Sequence, residues 1–243
     1  MTSPVDSLVE RLSKLESGQV SDVLDEAGLP NQALASHIVA LAPRSKFAGR
    51  ASCLRGEPIV SAKHVRSPLP ADAFERSAKA GSVIVIATGG YVTGACLGGF
   101  VAYSLQREGA FGLVTDGAIR DADEIRDLGF PMFVGALTPI NGARRWRLVE
   151  ADKPVTLPGQ TGVPVAIAPD DLILADGDGV VVVPAEGAEQ IIADAEELQR
   201  IENSIGEDLR AGGMRSEVFK SNPRFLHIAG HPWIVARKPG EQK

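Results

Sequence analysis

Gly81-Ser82-Val83-Ile84-Val85-Ile86 leads into Gly89-Gly90-Tyr91-Val92-Thr93-Gly94 and then into a second glycine pair, Gly98-Gly99. The β-branched run 83–86 has the composition of a strand buried on both faces, and the glycines behind it end that strand in a turn. Downstream, 100–107 predicts a helix, 111–115 a strand, 121–128 a second helix and 130–134 a third strand. Strand, helix, strand, helix, strand at this spacing predicts a parallel βαβ core, because parallel neighbours need a crossover about as long as a helix.

Outward from that core, Val5, Leu8, Val9, Leu12 and Leu15 recur at helical spacing and predict an opening helix that ends at Gly18. A second helix is expected from a cap at Ser21 or Asp22 to Gly28 and Pro30, followed by strand-like pieces at 48–54 and 58–62. Beyond the core, strands are expected at 163–167, 172–175 and 180–183. Asp176-Gly177-Asp178-Gly179 marks a hairpin between the last two. Ala188, Ile191, Ile192, Ala195, Leu198, Ile201 and Ile205 fall on one face of a long final helix. Residues 1–205 therefore read as one α/β domain with N- and C-terminal helices. Residues 206–243 read as an irregular extension, packed on that domain or on a neighbouring subunit.

The 243 residues carry 25 basic and 31 acidic side chains, a net charge of −6, and no basic run interrupts that balance. With aromatics at 5%, neither the electrostatics nor the stacking surface of a nucleic-acid binder is present. Two cysteines, Cys53 and Cys96, are too few for a disulfide framework. No apolar run approaches a membrane span, and the N-terminus is amphipathic and acidic rather than signal-like. The expected location is the cytoplasm.

Motif spacing removes several chemistries. Neither GxGxxG nor GxxxxGK[ST] occurs and no lysine lies between Gly89 and Asp121, which argues against a nucleotide. The glycine-rich turn can still aim backbone N–H groups at a small anion such as a carboxylate. No GxSxG nucleophile elbow is present. His227 and His231 have i, i+4 spacing, but no glutamate follows His227 and Pro232 interrupts the helix, so they make a poor metal pair. Lys63 is the least unfavourable Schiff-base lysine, with nothing to mark it as desolvated. Asp116-Gly117-Ala118-Ile119-Arg120-Asp121 sits where a strand gives way to a helix, a favoured ligand address in parallel sheets. Its plainer alternative is Asp121 as an N-cap with Arg120 solvated beside it.

Four blocks in order resemble the RraA-like family, which includes 4-hydroxy-4-methyl-2-oxoglutarate aldolases. They are Val20 to Leu24, Gly81 to Ile86, Gly109 to Asp121, and Gly162 to Val165 continuing through Asp178 to Pro184. The resemblance implies a swivelling β/β/α-type domain and a divalent-metal-dependent lyase. Such a lyase takes a small 2-oxo-dicarboxylic acid and cleaves a C–C bond through a pyruvate enolate, by retro-aldol reaction or by decarboxylation of oxaloacetate. It further implies Mg²⁺ or Mn²⁺ at Asp121 and Arg120 as the partner catalytic residue. Gly98, Gly99, Phe100 and Val101 are implied to bind substrate through the amides opening the helix, in a homotrimer or hexamer. The aldolases resemble one another in an acid, twenty residues, then Arg-Asp, and here residues 100–119 separate Arg120-Asp121 from Gly99 rather than from an acid. Glu196, on the final helix of a neighbouring subunit, is the expected compensating carboxylate. The alternative is a non-catalytic regulator of RNase E, a role filled by members that look to lack the Arg-Asp pair. A methyltransferase reading has no cofactor motif to support it.

Overall fold

The computed structural model describes residues 6–61 and 66–228. Its centre is the predicted parallel unit: β3 (Ser82–Ala87), β5 (Gly112–Ile119) and β6 (Met132–Leu137) lie side by side and parallel, with Val85 opposite Val114 and Val114 opposite Phe133. Between β3 and β5 the chain forms a short β4 (Ala95–Leu97) and helix α4 (Gly99–Arg107); between β5 and β6 it forms α5 (Ala122–Leu128). Strand β4 pairs in parallel with the far end of β5, at Ala118 and Ile119. That pairing places the start of α4 beside the start of α5.

The sheet extends from β3 to β2 (Phe47–Pro58), which is parallel to it. It then continues antiparallel to the hairpin of β10 (Leu172–Asp176) and β11 (Gly179–Val183). Strand β7 (Trp146–Ala151) pairs with the far half of β2, and β1 (Val39–Ala40) pairs with β6 at the opposite edge. An isolated bridge between Ala33 and Val181 brings the segment before β1 onto β11, so the mixed sheet is nearly closed. The hairpin turn falls at Gly177-Asp178, as its sequence predicts.

Period-2 alternation sorts the side chains. Val83, Val85, Val114, Phe133, Ile173 and Val182 share one cluster, closed by the two-stranded β8 (Val155–Leu157) and β9 (Val165–Ile167). Phe47 meets Phe133 edge-on within it, with ring centroids 5.8 Å apart. The opposite face of β3, β5 and β6 packs Ile84, Ile86, Leu113 and Met132 against α4, α5 and α3 (Ala73–Ser77). The opposite face of β10 and β11 packs Leu172, Leu174, Val181 and Val183 against α1 (Ser7–Leu12), α2 (Ser17–Glu26) and α6 (Ala188–Arg210). Each such aliphatic side chain contributes about 1.5–3 kcal/mol by leaving water.

Four expectations are corrected. The opening helix stops at Leu12, and Gly18 lies inside α2 rather than ending α1. Helix α2 starts at Ser17 and not after a cap at Ser21 or Asp22. The buried Asp176 carboxylate accepts from both the Ser17 amide and hydroxyl at 2.6 Å, fixing the helix start from across the fold. No strand forms at 59–61; β2 instead runs unbroken to Pro58 because it gains β7 as a partner. Among the described residues the chain after Gly206 is not irregular: α6 passes through Gly206 to Arg210, and α7 (Arg215–Ser221) folds back on it; residues 229–243 lie outside the described residues. A mid-helix glycine costs only about 1 kcal/mol, which the buried Ile205 beside it offsets. Lys63 and His231 lie outside the described residues. Among the described residues no helix is long and apolar enough to cross a membrane.

Candidate active site

Strand β5 ends at Ile119, so Arg120 and Asp121 emerge at its carboxyl end. The Arg120 amide bonds the Leu97 carbonyl at 3.2 Å, which holds this turn against the end of β4. Asp121 adopts a left-handed conformation, φ 59° and ψ 38°, which non-glycine residues enter at a cost of about 1–2 kcal/mol. It occupies the N-cap position of α5, but its side chain makes no cap hydrogen bond. The carboxylate is turned instead to α4, where Oδ2 accepts from the Gly99 amide at 3.0 Å. Arg120 Nε stands 3.4 Å from the same oxygen. Both side chains are about one-third exposed, at 35% and 36%, and an ion pair so placed contributes at most about 1 kcal/mol to stability. Capping does not explain where this carboxylate points.

The glycine pair is required by that approach. A Cβ at position 98 would run into Asp121 Oδ2 and come within 3.0 Å of Arg120 Nε. A Cβ at 99 would lie 2.6 Å from the carboxylate carbon of Glu124. The arginine, the aspartate and Glu124 thus close directly onto the backbone that opens α4. Beside them lies a cavity of about 340 Å³, bounded by Leu97, Gly98, Val101 and Arg120 on one side and by Asn141 and Trp146 on the other. A small 2-oxo acid is of a size to enter such a space.

The amides expected to hold substrate are not equally available. That of Gly99 donates to Asp121 and that of Val101 to the Gly98 carbonyl at 3.1 Å. Among the described residues nothing accepts from the Phe100 amide or from the terminal nitrogens of Arg120. These N–H groups, on and beside residues that line the cavity, are the donors left for an incoming carboxylate.

The glycine-rich turn after β3 serves the fold. Gly89 and Gly90 take φ values of +70° and +74°, and the Gly90 amide donates to the buried Asp116 at 2.7 Å. The amide and hydroxyl of Thr88 also donate to Asp116, at 2.7 and 2.8 Å. Its donors are turned onto an internal carboxylate and not out to an anion.

Glu196 lies on α6, which packs on α1, α2 and α7, whereas α5 packs on α4. Both its oxygens are held by Arg11, at 2.9 and 2.8 Å, so within one chain it is not brought to Asp121. His227 bonds the Asp194 carbonyl through Nε2 at 2.9 Å. Cys96 borders the cavity, but burial pushes its thiol up to about 12, which leaves no thiolate nucleophile at neutral pH. Sequence reasoning missed Glu124, whose only local signal was its place one helical turn after Asp121.

The sequence profile described as RraA-like, Aldolase/RraA, matches residues 17–182. The chain belongs to the RraA-like family. Its relatives include protein DlpA of Legionella pneumophila, 24% identical over 241 residues, which is 97% of this chain and 36% of that protein. A 4-hydroxy-4-methyl-2-oxoglutarate aldolase of Thermus thermophilus is 32% identical over 141 residues, 58% of this chain and 77% of that one. This RraA-like chain also matches a Streptomyces coelicolor structure with a TM-score of 0.72 at 29% identity, covering 83% of this chain and 97% of that one. That protein is described as RraAS2, an unusual member of the RNase ES inhibitor RraA family.

Aldolases of the RraA-like family are generally divalent-metal dependent, and the donor set here suits a hard cation. Among the described residues no group of three or more His, Cys, Asp or Glu is placed to enclose a metal. Mg²⁺ seldom needs one, because it keeps several waters and takes one or two carboxylates together with substrate oxygens. Asp121 offers such a carboxylate beside Arg120, with Oδ2 fastened to Gly99 and Oδ1 making no hydrogen bond among the described residues.

Proposed function

We propose that this RraA-like chain is a divalent-metal-dependent lyase that releases pyruvate from a 4-carboxy-2-oxo acid. The observation that carries the reading is the Asp121 carboxylate, turned from its own helix to stand beside Arg120, whose side chain lines a small cavity. Asp121 would hold Mg²⁺ or Mn²⁺, and the bound cation would supply positive charge for the oxyanion that develops.

With 4-hydroxy-4-methyl-2-oxoglutarate, the 4-hydroxyl gives up its proton and the C3–C4 bond breaks. The electron pair settles on the 2-oxo oxygen as an enolate, and protonation at C3 completes the second of two pyruvates. Oxaloacetate reaches the same enolate by losing CO₂. Arg120 presents a planar fork to the substrate carboxylate or to the enolate oxygen, and the Phe100 amide holds a carboxylate oxygen at the start of α4. The apolar wall of Leu97, Val101 and Trp146 thins the water around the developing charge.

The reading includes a homotrimer or hexamer in the cytoplasm. Phe100, Tyr103 and Leu137 support the assembly, being exposed apolar side chains on α4 and at the end of β6. Both cysteines are free, in keeping with a reducing compartment. The deciding experiment measures pyruvate release from both substrates with Mg²⁺, with chelator, and with Mg²⁺ restored. Activity lost to the chelator and recovered with metal is the expected result; no release from either substrate would sink the proposal. The likeness to RraAS2 favours one second reading, a regulator that binds an RNase E-type enzyme. In that case the purified chain would inhibit RNA cleavage while releasing no pyruvate.

A further inference from the structure

The Glu124 carboxylate lies broadside over Gly99. A Cβ at 99 would meet its carbon and one oxygen at 2.6 Å and the other oxygen at 2.8 Å. One residue therefore touches two acids, since the Gly99 amide also donates to Asp121 at 3.0 Å. Arg120, four positions back on the chain and just outside α5, is a cation to which Glu124 could have turned. It does not: among the described residues Glu124 forms neither a hydrogen bond nor an ion pair, although its neighbour Asp123 is paired with Arg126 at 2.6 Å. An unengaged carboxylate has come to rest in the space that a side chain at 99 would fill.

We infer that Glu124 is the second carboxylate of the metal site, reaching from α5 into the place that an acid at position 99 would occupy. The inference rests on the metal-dependent reading above and names a residue that the reading does not require. Gly99 and Glu124 then form an interchangeable pair: a side chain at 99 excludes the Glu124 carboxylate, and its absence admits it. The role fits an outer carboxylate that orients the waters of a cation held by Asp121, without itself touching the reacting carbons.

Mn²⁺ binding followed by electron paramagnetic resonance tests this without reference to turnover. Wild type, Asp121→Asn, Glu124→Gln, Glu124→Ala and Gly99→Asp/Glu124→Ala would be compared, with thermal melting as the check on folding. Glu124→Gln keeps the shape and should weaken Mn²⁺ about ten- to hundredfold, the usual cost of losing an outer-shell partner. The double variant should bind more tightly than Glu124→Ala, because the carboxylate returns from position 99. Wild-type Mn²⁺ affinity in Glu124→Gln would overturn the inference, as would a folded double variant no tighter than Glu124→Ala. Should the double variant not fold, Glu124→Gln decides alone. If wild type binds no Mn²⁺, the metal reading itself fails; if only Asp121→Asn loses it, Glu124 alone is removed.

Discussion

The Asp121 carboxylate reaches across to the Gly99 amide at 3.0 Å, fastening the start of α5 to the first turn of α4. Substitution at 121 therefore disturbs an inter-helix contact and a left-handed residue, not a cap. Asparagine tolerates the left-handed region and keeps an oxygen for the Gly99 amide. We expect Asp121→Asn to stay within about 1 kcal/mol of wild type by denaturant unfolding, the scale of one net hydrogen bond. Metal-stimulated pyruvate release should be abolished. A folded Asp121→Asn with wild-type turnover would take the metal from this residue.

Gly98 makes a sharper steric test. Alanine there drives its methyl into Asp121 Oδ2 and against the Arg120 side chain. Overpacking of this kind costs about 1–3 kcal/mol when the surroundings cannot move. Here the neighbours are partly exposed side chains, so the pair should be displaced before the fold suffers. Gly98→Ala is expected to melt close to wild type while losing most of its kcat/KM. Unchanged kinetics would mean that the observed placing of Arg120 and Asp121 is not the working one.

The sequence made the β3–β5–β6 core legible because both-face burial leaves a continuous β-branched run and the crossovers leave helical spacing. The start of α2 was only half legible: the Glu16–Gln19 capping box is local, but the Asp176 contact that also fixes it comes from 159 positions away and lies in no local window. The same limit hid the site's detail. Arg120 and Asp121 could be read as a pair at a strand end, but only the fold turns the carboxylate from its own helix. By its position Glu124 is one of two acids in the first turn of α5, and the sequence does not set it apart from Asp123. Its meeting with Gly99 depends on β4 pairing with β5, a non-local contact.

Glu196 carries a prediction with a pH sign. The Arg11 fork holds its carboxyl below the usual glutamate range, against a smaller opposing push from burial. A folded-state value below the unfolded one adds stability above the ordinary glutamate range, and that stability is lost as pH falls through the lowered folded value. The side chain is 40% exposed, so the contribution should stay below about 1 kcal/mol. Glu196→Gln should thus melt slightly below wild type at neutral pH and converge with it in acid. A gap that widens in acid would contradict the Arg11 pairing. The same variant tests the expectation that Glu196 serves a neighbouring subunit: loss of Mn²⁺ affinity in the assembled oligomer would assign Glu196 to the neighbouring subunit's site.

Arg120 separates a substrate-binding fork from ordinary surface charge. Its amide is tied to Leu97 and its Nε stands 3.4 Å from Asp121, so the side chain starts from a backbone held against β4 with its head beside the carboxylate. Its terminal nitrogens have no acceptor among the described residues, and the side chain borders the cavity. Lysine would keep the charge and lose both the plane and the paired donors. Losing a charge-assisted contact made to the developing oxyanion costs on the order of 2–4 kcal/mol of transition-state stabilisation, as for other oxyanion donors. Arg120→Lys should therefore lower kcat/KM by roughly thirty- to thousandfold with metal saturating. Thermal stability should hardly move, because an ion pair this exposed contributes little. A loss carried by a raised KM alone would mean that Arg120 holds ground state and transition state equally, whereas a loss carried by kcat places its contact in the transition state. If Arg120→Lys matches wild type in both constants, the guanidinium has no part in the chemistry and the lyase reading loses the residue that binds its substrate.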